Sequence, residues 1–133
     1  MKNTKKFITL VLLLSFTVGV FSQARPANAA QIMAANTRDI LAKLSISNGT
    51  ARCVGSTTAI FPEASIMGTL TLQKIVNNKA TTIKTWHAST ALPYVELIRT
   101  YSVNKGKYKL TWTSTVYHKG TKETISRYST ATY

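Results

Sequence analysis

The feature that most constrains this chain is a two-residue alternation of apolar and polar side chains beyond residue 38, punctuated by turn residues. Ile40, Ala42, Leu44 and Ile46 alternate with Leu41, Lys43, Ser45 and Ser47, and Asn48-Gly49 follows. Successive residues of a strand point to opposite faces, so such a run presents one face to a core and one to water. Asn-Gly is the strongest two-residue hairpin signal, because both turn positions take positive φ. Turning there pairs Ser47 with Thr50, Ile46 with Ala51, Leu44 with Cys53 and Ala42 with Gly55. The opposite face pairs Ser45 with Arg52. Apolar or small residues meet on one face, so register and hydrophobic pattern agree.

The same pattern runs on. Pro62 breaks TTAIFPEAS into a loop or edge. A third strand spans 66–76, with Ile66, Leu70 and Leu72 on one face, and Asn77-Asn78-Lys79 turns it into a fourth over 80–88. Pro93 opens a fifth, 94–103, with Val95, Leu97, Tyr101 and Val103 together. The sixth, 108–118, aligns Tyr108, Leu110, Trp112, Ser114 and Val116, and Lys119-Gly120 leads to a seventh over 121–129. No long stretch has helical periodicity, and Thr, Val, Ile and Tyr are frequent, as strands prefer. Turns recurring about every 8–12 residues give an all-β, antiparallel, immunoglobulin-like β-sandwich of about seven strands. The stretch "NKGKYKLTW", with its Gly106-x-Tyr108, resembles the sixth strand of immunoglobulin-like domains, and this resemblance implies that Tyr108 is a corner tyrosine whose hydroxyl bonds backbone upstream. A plain hairpin across 104–107, pairing Val103 with Tyr108 and Tyr101 with Leu110, is the competing layout.

The N-terminus reads as an export signal. Lys2, Lys5 and Lys6 precede an apolar run from Phe7 to Phe21, and Ala27-Asn28-Ala29 supplies a small-x-small cleavage box. The run is short for a spanning helix. The expected organisation is a Sec-type signal peptide over 1–29, cleaved near Ala29, a short leader over 30–38, and the sandwich over 39–133. The expected product is secreted, with no transmembrane segment once the signal is removed. The chain has 17 basic and 4 acidic residues, and four of the basic ones, Lys2, Lys5, Lys6 and Arg25, leave with the signal. The remainder is strongly cationic and attracts anions. Export turns that attraction away from nucleic acid and toward anionic cell-envelope polymers or lipid surfaces. A protein partner is the other option. Nothing in the pattern sets an oligomeric state.

Three stretches carry a family resemblance: "NGTARC", "TLQKIVNNKATTIKTW" and "GKYKLTWTSTVYHKGTKETISRYS". Over roughly 44–129 the chain resembles small exported proteins of Gram-positive bacteria with an immunoglobulin-like sandwich domain and no established function. Ala80-Thr81-Thr82 stands where that family often carries another tryptophan. The resemblance implies secretion and a non-enzymatic domain, and it supplies no site residues.

The chain offers little for catalysis. A hydrolase needs a nucleophile, a base and an orienting group. Paired carboxylates would need a cleft joining Glu96 or Glu123 to another acid. Cys53, His87 and His118 are too few and too scattered for a metal motif, and no phosphate loop or nucleotide fingerprint is present. The sequence therefore implies no cofactor and no catalytic residue. Cys53, inside the first hairpin opposite Leu44, reads as a small buried hydrophobe. Surface residues remain. Lys107, Lys109, Thr111, Thr113, Thr115 and Tyr117 alternate along one face of the sixth strand. Trp112 shares its face with Leu110 and Val116 and belongs to the core. Trp86, beside Lys84, is the better candidate for an exposed stacking platform. The candidate binding residues are thus Lys84, Trp86, Lys107, Lys109 and Tyr117. The expected function is non-catalytic binding at the cell envelope. The alternatives are a secreted cationic, bacteriocin-like antagonist and a small hydrolase.

Overall fold

A computed structural model describes residues 34–133; the expected signal peptide lies outside them. The described residues form seven antiparallel strands and no helix. They are β1 (Thr37–Ser47), β2 (Thr50–Ala59), β3 (Ser65–Val76), β4 (Lys79–Thr90), β5 (Tyr94–Ser102), β6 (Lys107–His118) and β7 (Thr121–Thr132). One sheet has the order β1-β2-β5, the other β4-β3-β6-β7. Their inner faces share one apolar core. No described helix is long and apolar enough to cross a membrane.

The first hairpin has the register that the alternation predicts, with Leu44 opposite Cys53 and Ser45 opposite Arg52. Asn48 and Gly49 both take positive φ, as do Asn77-Asn78 and Lys119-Gly120. Two left-handed turn residues match the right-handed twist of the flanking strands, so all three hairpins close in two residues. The 104–107 segment does not close a hairpin. β5 pairs with β2 and β6 pairs with β3, so Tyr101 and Leu110 belong to opposite sheets. The loop is anchored by the Tyr108 hydroxyl, which donates to the Asn104 carbonyl at 2.8 Å.

The core is built around β6, whose Tyr108, Leu110, Trp112, Ser114 and Val116 are all buried. The Trp112 indole crosses the layer and donates to Thr57 Oγ1 of the facing sheet at 2.8 Å. A Cβ placed on Gly55 or Gly68 would overlap its ring. Two small residues, one on β2 and one on β3, thus make room for the largest core side chain. Ile66, Leu70 and Leu72 of β3 complete this layer with Leu97 and Cys53 from the other sheet.

The folded unit begins earlier than the sequence boundary at 39. Glu123 on β7 accepts hydrogen bonds from the Ala35 amide at 2.8 Å, the Asn36 amide at 3.2 Å and the Thr37 hydroxyl at 2.8 Å. Residues 35–38, expected in a leader, are therefore part of the domain. The signal for this is a carboxylate on a distant strand, which no local pattern reveals.

Candidate functional site

The outer face of the four-stranded sheet is a field of hydroxyl groups. The alternation of β6 buries its even-numbered residues from Tyr108 to Val116 and turns Lys107, Lys109, Thr111, Thr113, Thr115 and Tyr117 outward. Register carries these rows across the sheet. Thr113 lies between Thr69 and Ser126, and Thr115 between Met67 and Thr124. Beyond β3, Thr69 faces His87 and Met67 faces Ser89. Neighbouring side chains hydrogen-bond across the strands: Thr113 with Ser126 at 2.8 Å, Thr115 with Thr124 at 2.9 Å, and Thr69 with His87 Nδ1 at 3.2 Å. The outward positions of these four strands carry no Asp or Glu.

The five sequence-derived candidates do not form one site. Lys107 and Lys109 start β6 and Tyr117 nearly ends it, with ten residues from Lys107 to Tyr117, about 33 Å of strand. Lys109 reaches over the Tyr128 ring, its Nζ 4.6 Å from the centroid. Lys84 is exposed on the edge strand β4. Trp86 is not a free platform. A register shift at Leu72/Gln73 leaves Ile83 without a partner in the ladder, and a bulge of this kind reverses the alternation along a strand. Ile83 and Trp86 consequently both pack against the core. The Trp86 ring meets Tyr101 of the other sheet edge-on, with centroids 6.2 Å apart and planes at 78°.

The three glutamates and the thiol each have defined surroundings. Glu123 fastens the start of β1, as described above. Glu96 lies on the other sheet and accepts a hydrogen bond from the Tyr94 hydroxyl at 3.1 Å. Glu63 pairs with His118 at 2.7 Å, and Phe61 stacks on that imidazole with ring centroids 3.8 Å apart. The hydrogen bond from His118 holds the Glu63 carboxyl below its usual range. Cys53 is buried and unpaired, and burial pushes its thiol up to about 11. Among the described residues no three His, Cys, Asp or Glu side chains cluster as metal ligands would.

The distribution of charge along the sandwich is the strongest feature, and it emerges only from the register. Thirteen of the basic residues and all four acidic ones lie in 34–133. The β1–β2, β3–β4 and β5–β6 connections and Tyr133 gather at one end. The Val103 amide bonds the Gly49 carbonyl there, and Gly106 and Tyr133 bond each other twice. Lys74, Lys79, Lys84, Lys105, Lys107 and Lys109 belong to that end of the four-stranded sheet. Arg52, Arg99 and Lys43 belong to the corresponding half of the other sheet. No acidic residue falls in this half. Asp39 opposite Thr58, Glu96 opposite Ser56, Glu123 opposite Val116, and Glu63 against His118 all lie toward the other end. Among the described residues His118 against Glu63 is the only contact of a basic side chain with a carboxylate at salt-bridge distance, so none of the nine cations has a carboxylate neighbour. Sequence reading had Lys84, Lys107 and Lys109 but missed Lys74, Lys79 and Lys105. Lys79 and Lys105 stand at or beside turns, where a lysine reads as an ordinary solvated residue, and Lys74 lies within β3 opposite Tyr108.

A groove of about 340 Å³ opens on the same outer face, nearer the other end. Met67, Thr69, His87, Ser89, Thr113, Thr115 and Tyr117 line it, with Gly68 and Ala88. No protein family matches this chain, and no curated protein is similar to it in sequence.

Proposed function

We propose that this chain is an exported, non-catalytic, immunoglobulin-like sandwich whose lysine-rich end binds a polyanionic component of the cell envelope. The strand order β1-β2-β5 and β4-β3-β6-β7 and the Tyr108–Asn104 anchor support the immunoglobulin-like type. The signal-like N-terminus supports export. The observation that carries the binding reading is the segregation of charge: nine basic side chains and no Asp or Glu in one half of the domain. A concentrated single-sign field steers an oppositely charged surface and orients the domain as it approaches. Each lysine brought close to an anionic surface contributes about 1 kcal/mol, so several acting together give firm binding without a shaped pocket. Lys74, Lys79, Lys105 and Lys107 cluster around two adjacent connections, which lets them engage one polymer or surface at once.

Salt tests this directly. The protein is sedimented with whole envelopes, with envelopes stripped of anionic polymer, and with vesicles of anionic or neutral lipid. Exposed charges are screened beyond about 8 Å at physiological ionic strength. Binding to intact envelopes is expected to fall steeply as salt rises and to be lost on stripping. Salt-insensitive binding contradicts the proposal. Leakage of anionic vesicles would favour the membrane-active antagonist instead.

A further inference from the structure

The geometry points to a second binding site on this domain, a neutral-saccharide site in the groove between β4, β3 and β6. The chemistry of the groove selects its ligand. The side chains of Thr69, Ser89, Thr113, Thr115 and Tyr117 offer hydroxyls, and His87 offers an imidazole. A hydroxyl is one donor and two acceptor sites, so each of these groups can both give and take a hydrogen bond. The contacts already formed, Thr69 to His87, Thr113 to Ser126 and Thr115 to Thr124, occupy part of that capacity and leave the rest for a ligand. Threonine is stiff at χ1, and these threonines stand on strands of a packed sheet, so their oxygens are positioned before anything binds.

The floor and rim supply the apolar half. Tyr117 is 38 % exposed and Met67 is 54 % exposed. The Tyr117 hydroxyl contacts Met67 Sδ at 3.7 Å, which sets the two side chains next to each other along one wall. An aromatic ring and a thioether beside a row of hydroxyls suit a ligand that has C–H faces between hydroxyl groups. That is the character of a pyranose ring. No lysine, arginine, aspartate or glutamate lines the groove, so an anionic ligand finds no counter-charge there. A purely apolar ligand would cover the remaining hydrogen-bonding capacity of these hydroxyls without meeting it, at a cost of about 1–3 kcal/mol for each group left unsatisfied. At about 340 Å³ the groove lies at the small end of ligand pockets and takes a short saccharide segment.

The site is distinct from the lysine-rich end. Thr113 follows Lys109 by four residues on the same strand face, about 13 Å away. Stacking at Tyr117 takes over the role that sequence reading gave to Trp86, which the β4 bulge turns inward.

NMR titration of the labelled protein with cellotetraose, maltotetraose and tetra-N-acetylchitotetraose, each to millimolar concentration, tests the assignment. At least one sugar is expected to shift resonances of Thr69, His87, Thr113, Thr115 and Tyr117. Tyr117→Ala should weaken that binding by about five-fold or more, the equivalent of one aromatic contact. Thr113→Val should weaken it with the fold unchanged. Lys107→Glu with Lys109→Glu should leave it intact, which separates this site from charge-driven binding. Absence of shifts with all three sugars overturns the assignment. So do shifts confined to the lysine-rich end, or affinity unchanged by Tyr117→Ala.

Discussion

The indole nitrogen of Trp112 on β6 donates to Oγ1 of Thr57 on β2 at 2.8 Å, joining the two sheets through the middle of the core. Both residues are buried. A single hydrogen bond therefore satisfies two polar groups that would otherwise be stranded in an apolar layer. Thr57→Val keeps the shape and removes the acceptor, which should cost about 1–3 kcal/mol. Gly68→Ala should cost about 3 kcal/mol or more, because its methyl overlaps the indole and a packed sheet yields little. Equilibrium denaturant unfolding measures both. A Gly68→Ala protein as stable as the parent would mean that the indole is not seated on β3.

Cys53 gives a pH prediction. Burial raises its thiol from 9.0 to about 11, so the folded state holds the proton more tightly than the unfolded state. The resulting stabilisation is fully present below pH 9 and is lost as pH rises toward 11. Its size is on the order of 2 kcal/mol. The stability difference between the parent and Cys53→Ala should narrow across that interval, and a thiol reagent at pH 8 should label the native protein only after unfolding. Rapid labelling of the native state would place the thiol at the surface.

The β6–β7 turn holds a correctable strain. Lys119 has φ 47° where Asn48 and Asn77 stand in the other two hairpins. A left-handed conformation costs most side chains about 1–2 kcal/mol, and asparagine tolerates it better. Lys119→Asn should therefore raise stability by about 0.5–1 kcal/mol, or about 3–6 °C in Tm for a domain of this size. A lowered Tm would mean that Lys119 makes a contact that outweighs its backbone strain.

Much of this fold was legible because local rules and register agree. Asn48-Gly49 sets the first hairpin, the buried alternation of β6 sets the core face, and Gly-x-Tyr at 106–108 foreshadows the Tyr108 anchor. What escaped depends on non-local geometry. Nothing within β4 itself announces the bulge at Ile83, so strict alternation sets Ile83 on the face opposite to Trp86, whereas both pack on the core. The hold of Glu123 on Ala35, Asn36 and Thr37 spans more than eighty residues. The choice between placing β5 and β6 in one sheet or two also needed the second sheet, since Val103 and Tyr108 satisfy either pattern. Charge segregation was invisible for the same reason. Lys74, Lys79, Lys105 and Lys107 are spread over 33 positions of sequence, and only the strand ladder gathers them.

The central claim is that one end of the domain, and not net charge alone, binds polyanion. The most direct measurement compares two charge reversals of equal size on binding to intact envelopes at fixed, moderate salt. One reverses Lys79 and Lys107 to Glu at the lysine-rich end, and the other reverses Lys119 and Lys122 to Glu at the opposite end. The account predicts that the first weakens binding by about ten-fold or more, the loss of two surface lysine contacts, while the second changes it little. Equal effects of the two reversals would contradict it.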